Sequence, residues 1–313
     1  MKPGYLSLHH SGELSVRASQ AVSMLADCRC CPRECRVNRL EDERGFCGIG
    51  RKAVIASFNP HFGEESPLVG SHGSGTIFFA GCNLKCVFCQ NYDISHDPDA
   101  GLAAEPEELA GVMLRLQQQG CHNINLVTPS HVVPQILEAL PIAVEHGLRA
   151  PLVYNTSGYD SLEALKLLDG VVDIYMPDVK IWDAAQSREL LRTRDYPKRA
   201  KASVREMHRQ VGDLRLDGGI AVAGLLVRHL VMPGDIAGTR QWMRFLAGLS
   251  RDTYVNIMDQ YHPCGEAKKH PHINRTITPK EFQSALDQAK NSNIKRLDRR
   301  TADFFDQIFK NLH

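Results

Sequence analysis

Apolar residues along this chain fall into short runs separated by helical patterns. Runs rich in β-branched and aromatic residues occupy 76–80, 123–128, 152–155, 171–176, 221–232 and 253–258. They are apolar throughout rather than alternating, the pattern of parallel strands covered on both faces. Between them the spacing becomes helical. Leu109, Val112, Met113 and Leu116 recur at i, i+3, i+4 and i+7, with Pro106 suited to a first turn, and Trp242, Phe245, Leu246 and Leu249 repeat the interval. The six runs, each with its helical partner, predict an α/β fold. The expected architecture is a partial (β/α)6 TIM-like barrel, with its chemistry where loops gather at the C-terminal ends of the strands.

The two ends of the chain depart from this alternation. Residues 1–69 read as a Cys-rich N-terminal extension, and Gly70-Ser71-His72-Gly73-Ser74-Gly75 as its linker to the first strand. The barrel is expected over 70–263. Beyond it, Thr278-Pro279-Lys280-Glu281 has capping-box spacing, and Phe282, Ala285, Leu286 and Ala289 share one face. Residues 264–313 are therefore expected to be helical, with a last amphipathic segment at 304–309.

Composition narrows the function. Of 313 residues 43% are hydrophobic, enough for a sizeable core, and 37 basic against 36 acidic residues give no general affinity for polyanions. Two stretches, 192–209 and 264 onward, are locally basic and would suit RNA phosphates or an acidic protein. Solvated helix faces account for both, so nucleic acid is not the expected partner. The first ten residues lack an apolar core with a cleavage site, and no apolar run is long enough for a bilayer. The expected location is cytoplasmic, with no membrane partner.

Cysteine is over-used and clustered, eight of the ten falling between Cys28 and Cys89. In a reducing compartment such clusters are metal ligands rather than disulfides. Cys82, Cys86 and Cys89 form C-x3-C-x2-C directly after the first apolar run. Three thiolates can wrap one corner of a cubane iron-sulfur cluster and leave one iron open to an exogenous ligand; a zinc site short of a ligand is the alternative. Cys28, Cys31, Cys35 and Cys47 form C-x2-C-x3-C-x11-C, enough to close a zinc site or a second iron-sulfur cluster, with Cys30 spare. Spacing does not choose between these metals. Cys121 reads as a small buried residue, and Cys264 as a free thiol or a radical relay. His61-Phe62-Gly63-Glu64-Glu65 reads as a solvated loop, with projection toward the barrel mouth as the alternative.

The triplet, with Phe88 before its last cysteine, resembles the signature of radical S-adenosylmethionine enzymes. The wider segment Gly75-Thr76-Ile77-Phe78-Phe79-Ala80-Gly81-Cys82-Asn83-Leu84 is similar to the pyruvate formate-lyase activating enzymes, in a group of homologues with a Cys-rich N-terminus. That resemblance implies a 4Fe-4S cluster on Cys82, Cys86 and Cys89, with S-adenosylmethionine on its open iron and Phe88 near the adenine. It further implies reductive cleavage to a 5′-deoxyadenosyl radical that abstracts hydrogen, a low-potential donor of flavodoxin or ferredoxin type, and a glycyl radical enzyme as substrate. Radical modification of a small molecule, peptide or RNA is a second reading, and a non-catalytic iron-sulfur or zinc interaction protein a third.

Later segments extend the likeness. Tyr154-Asn155-Thr156-Ser157-Gly158 and Met176-Pro177-Asp178-Val179-Lys180 are similar to segments that hold a monovalent cation against the cofactor carboxylate, implicating Asn155, Thr156, Met176 and Asp178, with Lys180 as charge partner. Arg228 matches the family's arginine-bearing strand, and His262 its Tyr-His pair. Two positions differ. Thr128 stands in Leu126-Val127-Thr128-Pro129, where the family has Gly-Gly-Glu for the ammonium, and Asn155 replaces an aspartate. Thr128 is the expected substitute contact, and the cation site is expected to lose one negative charge.

Overall fold

The computed structural model describes residues 2–298, so the segment expected at 304–309 lies outside the described residues. Among the described residues ten strands form one sheet: β1 (Ala53–His61), β2 (Ser74–Phe79), β3 (Leu102–Ala104), β4 (Ile124–Val127), β5 (Leu152–Thr156), β6 (Ile174–Pro177), β7 (Arg215–Asp217), β8 (Ile220–Leu230), β9 (Tyr254–Met258) and β10 (Arg296–Leu297). The helices are α1 (Tyr5–His10), α2 (Glu13–Ser23), α3 (Ser66–Val69), α4 (Tyr92–His96), α5 (Pro106–Gln118) and α6 (Val133–Glu145). They continue with α7 (Leu162–Leu167), α8 (Ala184–Leu190), α9 (Tyr196–Val211), α10 (Thr239–Leu249) and α11 (Pro279–Asn291).

All six predicted runs carry strands, and β2, β4, β5, β6, β8 and β9 lie parallel in that order, as a partial TIM-like α/β barrel requires. The periodic segments form helices. α5 begins with Pro106 and a capping box from Glu105, and α11 with the capping box of Thr278 and Glu281.

The extension does more than precede the barrel. β1 runs antiparallel to β2, with Ile55 opposite Phe79 and His61 opposite Ser74, so part of residues 1–69 belongs to the sheet. Asn59 and Pro60 had broken its apolar run. Pro60 is tolerated because β3 pairs only with residues 53 to 55 of β1, leaving the far edge of its second half without a strand partner. Of the expected linker 70–75, residues 74 and 75 already belong to β2.

Inward-facing positions recur every second residue and sort into two layers. Val153, Ile174, Met176, Leu226 and Tyr254 pack around Leu68 of α3, which fills the end of the barrel nearest the strand N-termini. One pleat further along the same strands stand Asn155, Asp178, Arg228 and Asn256. The floor is thus apolar and the layer above it polar.

The N-terminus is tied to this frame through Asp173, whose carboxylate accepts the N–H groups of Gly4 (3.1 Å) and Leu152 (2.9 Å). Burial pushes its carboxyl up to about 6. A carboxyl raised on folding adds stability that is complete below its unfolded value and lost as pH rises through its folded one. For Asp173 that amounts to about 3 kcal/mol between roughly pH 4 and 7. Asp173→Asn, which keeps an acceptor oxygen, should remove this component. The gap between wild type and variant in urea unfolding free energy is expected to change by about that amount across the window; a gap independent of pH would refute the assignment.

Candidate active site

Two residues beyond β2 stands Gly81, whose φ of +72° and packing force glycine there: a Cβ would lie 2.6 Å from the Cys47 carbonyl oxygen. The chain then turns into the loop that carries Cys82, Cys86 and Cys89. Its backbone is fixed from two sides, Val87 N–H donating to the Leu190 carbonyl (3.0 Å) and Glu266 N–H to the Val87 carbonyl (2.7 Å). Leu84 N–H reaches the Cys82 sulfur at 3.3 Å, and the Ser95 hydroxyl reaches the Cys89 sulfur at 3.2 Å. Cys82 and Cys86 are buried and Cys89 half-buried. All three face one cavity of about 330 Å³.

The polar layer of the barrel opens into the same cavity. Thr128, Asn155, Thr156, Asp178, Lys180 and Arg228 line it, as does Phe88, which also stands edge-on to Tyr261. Lys180 Nζ lies 2.6 Å from Asp178 Oδ2, and Arg228 places Nη2 3.8 Å from that oxygen and Nη1 3.3 Å from Glu64 Oε2. Burial opposes the Asp178 charge, yet Lys180 and Arg228 together hold its carboxyl below the usual range. Burial likewise opposes the Lys180 charge, but Asp178 raises its pKa. Burial pushes the Cys82 and Cys86 thiols up, with the Lys180 ammonium acting against it.

Two expected cofactor contacts are placed elsewhere. Met176 packs its side chain into the apolar floor, and His262 is exposed, with Nδ1 3.1 Å from the Gln260 carbonyl. Gln260 itself lines the cavity.

The favoured reading of 61–65 as a solvated loop is overturned. Glu64 and Glu65 are only 7% and 3% exposed, and His61, Gly63 and Glu64 line the cavity. The cause is Leu68: burying it in the barrel floor draws the preceding turn inside, where Arg228 and Asn256 receive the two carboxylates. Phe62, at 60%, and Gly63 are the exposed residues of the segment.

Asp160 was missed. It is buried behind Thr156, accepting that hydroxyl at 2.7 Å and the Tyr154 hydroxyl at 2.9 Å, and so returns a carboxylate close to where Asn155 replaces one. In the sequence, Asp160-Ser161 before an apolar stretch reads as a helix cap.

Cys28, Cys31, Cys35 and Cys47 also come together, lining a second cavity with Cys30 and Arg39. Cys121 is buried beside β4, and Cys264 is half-buried and does not line the main cavity.

The model of the radical SAM superfamily matches residues 76–246, which hold the whole cysteine loop and the strands from β4 to β8. The chain belongs to the radical SAM superfamily. Uncharacterized protein MJ0674 of Methanocaldococcus jannaschii is 33% identical to this radical SAM protein over 288 residues, covering 90% of this chain and 79% of the relative. Uncharacterized protein MJ0808 of the same organism is 29% identical over 172 residues, 49% of each chain. Among solved structures, that of TYW1 with a lysine-pyruvate adduct bound aligns with 71% of this chain and 74% of its own, at a TM-score of 0.42 and 10% identity.

Membership in the superfamily implies a 4Fe-4S cluster and S-adenosylmethionine. The residues present fit both. Three thiols on one loop are a soft donor set suited to iron, each supported in its position by backbone or Ser95 contacts. Beside them Asp178 Oδ1, Ser157 Oγ and Arg228 Nε are buried without a hydrogen-bond partner, as expected of groups awaiting a polar ligand. No helix among the described residues is long and apolar enough to cross a membrane.

Removing one partner of a buried ion pair costs about 3 to 5 kcal/mol. Arg228→Gln, which takes a cation away from Glu64 and Asp178, should lower the urea unfolding free energy by that order. A loss within about 0.5 kcal/mol, typical of surface substitutions, would contradict the buried network.

Proposed function

We propose that this protein cleaves S-adenosylmethionine reductively at a 4Fe-4S cluster on Cys82, Cys86 and Cys89, and that the hydrogen it removes belongs to a partner protein of the glycyl radical type. The observation that carries the first part is convergence: the three thiols and the Asp178–Lys180–Arg228 charges, contributed by separate strands, face one cavity. The partner class rests on the likeness of the cysteine loop and strand ends to activating enzymes. Bound together, cluster and cofactor supply the electron and the hydrogen-abstracting fragment.

The protein's own groups do the positioning. Lys180 and Arg228 are the cations for the cofactor carboxylate, and Asp178 Oδ1 and Thr128 the acceptors within the cavity for its ammonium. Phe88 offers an aromatic face for the adenine. Asn155, Thr156 and Asp178, with the Met176 backbone, form the cation site, and buried Asp160 supplies charge behind it. The apolar floor keeps water out from below, which strengthens each of these interactions. A low-potential flavodoxin or ferredoxin supplies the electron.

Anaerobic reconstitution, dithionite reduction and addition of S-adenosylmethionine should yield 5′-deoxyadenosine, and the triple variant Cys82→Ala, Cys86→Ala, Cys89→Ala should yield none. Absence of the product with an intact cluster refutes the cleavage reading. Lys180→Met is expected to weaken S-adenosylmethionine binding by about 10- to 100-fold at unchanged iron content. Mixing with a candidate glycyl radical enzyme should give the glycyl signal by electron paramagnetic resonance, and its absence across candidates while 5′-deoxyadenosine forms rejects that partner class.

A further inference from the structure

We infer that Cys28, Cys31, Cys35 and Cys47 hold a second iron-sulfur cluster, which is the port through which an electron reaches the Cys82–Cys86–Cys89 loop. The inference rests on the radical SAM reading for the electron's destination, but the site itself stands on other residues.

Arg39 is the first observation. This guanidinium is 1% exposed, burial that an arginine rarely undergoes unless anions or acceptors surround it. Its Nε donates to the Gly50 carbonyl at 2.9 Å, and its Nη1 donates to the His131 carbonyl at 2.8 Å and lies 3.9 Å from the Cys28 sulfur. Its Nη2 has no partner, and Arg39 lines the cavity shared by the cysteines. A permanent buried cation with an unused donor beside four thiols calls for an anionic occupant, and four thiolates around a metal centre provide one.

Thiol spacing selects iron over zinc. A tetrahedral zinc at about 2.3 Å from each sulfur brings its thiolates to about 3.8 Å from one another. Among the described residues, the one trio of His, Cys or carboxylate ligand atoms lying within 4.8 Å of one another is Glu189, His270 and His272. No three sulfurs of the quartet come that close, so the thiols stand wider than one tetrahedral zinc draws them and suit a cubane. Four protein ligands also leave no iron open for a substrate, so the role left to such a centre is electron transfer.

The third observation is contact between the two cysteine loops. Arg33, between Cys31 and Cys35, donates from Nε to the Asn83 carbonyl (2.8 Å) and from Nη2 to the Leu84 carbonyl (3.4 Å), both between Cys82 and Cys86. Its guanidinium stacks over Phe46, the neighbour of Cys47, at 3.8 Å. The Cys47 carbonyl packs against Gly81. His131, held by Arg39, donates from Nε2 to the Ala80 carbonyl at 2.9 Å. The quartet therefore abuts the triplet loop, and none of its cysteines lines the main cavity.

The electron count closes. A reduced flavodoxin- or ferredoxin-type donor gives one electron to the quartet cluster, taking it from the 2+ to the 1+ state. That electron then passes to the triplet site, the quartet cluster returns to 2+, and no bond or proton is exchanged.

The test uses the full chain, reconstituted anaerobically. With Cys82, Cys86 and Cys89 replaced by alanine, the protein should retain about four irons and show a dithionite-reduced paramagnetic signal that S-adenosylmethionine leaves unaltered. Zinc without iron in that variant overturns the inference while leaving the triplet reading intact. In Cys31→Ser/Cys35→Ser the triplet cluster should still be reduced by dithionite. Its reduction by a reduced flavodoxin, followed by freeze-quench resonance, should slow by about tenfold or more; an unchanged rate overturns the port. Arg39→Gln keeps all four ligands and guards against misfolding of the double variant. It should lower the quartet's reduction potential in a potentiometric titration, because a buried positive charge near the cluster is lost. An unchanged potential would mean that no cluster lies beside the buried Arg39 charge, and overturns the inference. Failure of wild type to form 5′-deoxyadenosine with dithionite would instead fault the cleavage reading alone.

Discussion

Burying charge in the middle of a barrel is the constraint around which this protein is built. Asp178, Lys180, Arg228 and Glu64 are largely withdrawn from bulk water, and none would be tolerated there alone. Each needs the others at a fixed distance, so the strands that bear them must hold register, and the layer beneath must be solid. Leu68 and its apolar neighbours meet that second requirement. The same arrangement leaves several polar atoms unpaired at the wall of the cavity. That is a cost in the free protein, and it leaves donors and acceptors for a polar ligand.

Much of the frame was legible from residue order. The parallel strands are covered on both faces, so their runs are apolar without interruption, and the helices keep a clean period. What escaped were elements with no such signature. β1 is broken by Asn59 and Pro60, β7 is three exposed residues, and β10 is two. The cysteine triplet was readable because its ligands sit on one loop, where spacing in sequence is spacing in space. Glu64, Asp160 and Arg39 were not readable in that way. Glu64 finds Arg228 across 164 positions and Arg39 finds His131 across 92, so their burial is decided by the closed fold. His262 and Met176 show the converse: a matching place in the sequence did not bring either side chain to the cavity.

The Cys-rich region and the barrel meet intimately for parts that the sequence separates. Arg33 and Arg39 point in different directions from the same loop, and each ends on backbone next to or within the triplet loop's immediate surroundings. Backbone carbonyls as acceptors make these contacts independent of the side chains opposite. A change in the oxidation or occupancy of one cysteine loop would therefore be felt as strain by the other through rigid peptide planes rather than through adaptable side chains.

The plug formed by α3 has a bearing on the order of events. With Leu68 and its neighbours closing the floor, the cavity is walled by the cysteine loop and by residues at the strand C-terminal ends. Asp178 and Arg228 stand one pleat above that floor, so a ligand held by them would lie beneath anything bound nearer the loops. On the proposed reading, the depth of the cavity would favour cofactor first in and last out, without any moving part.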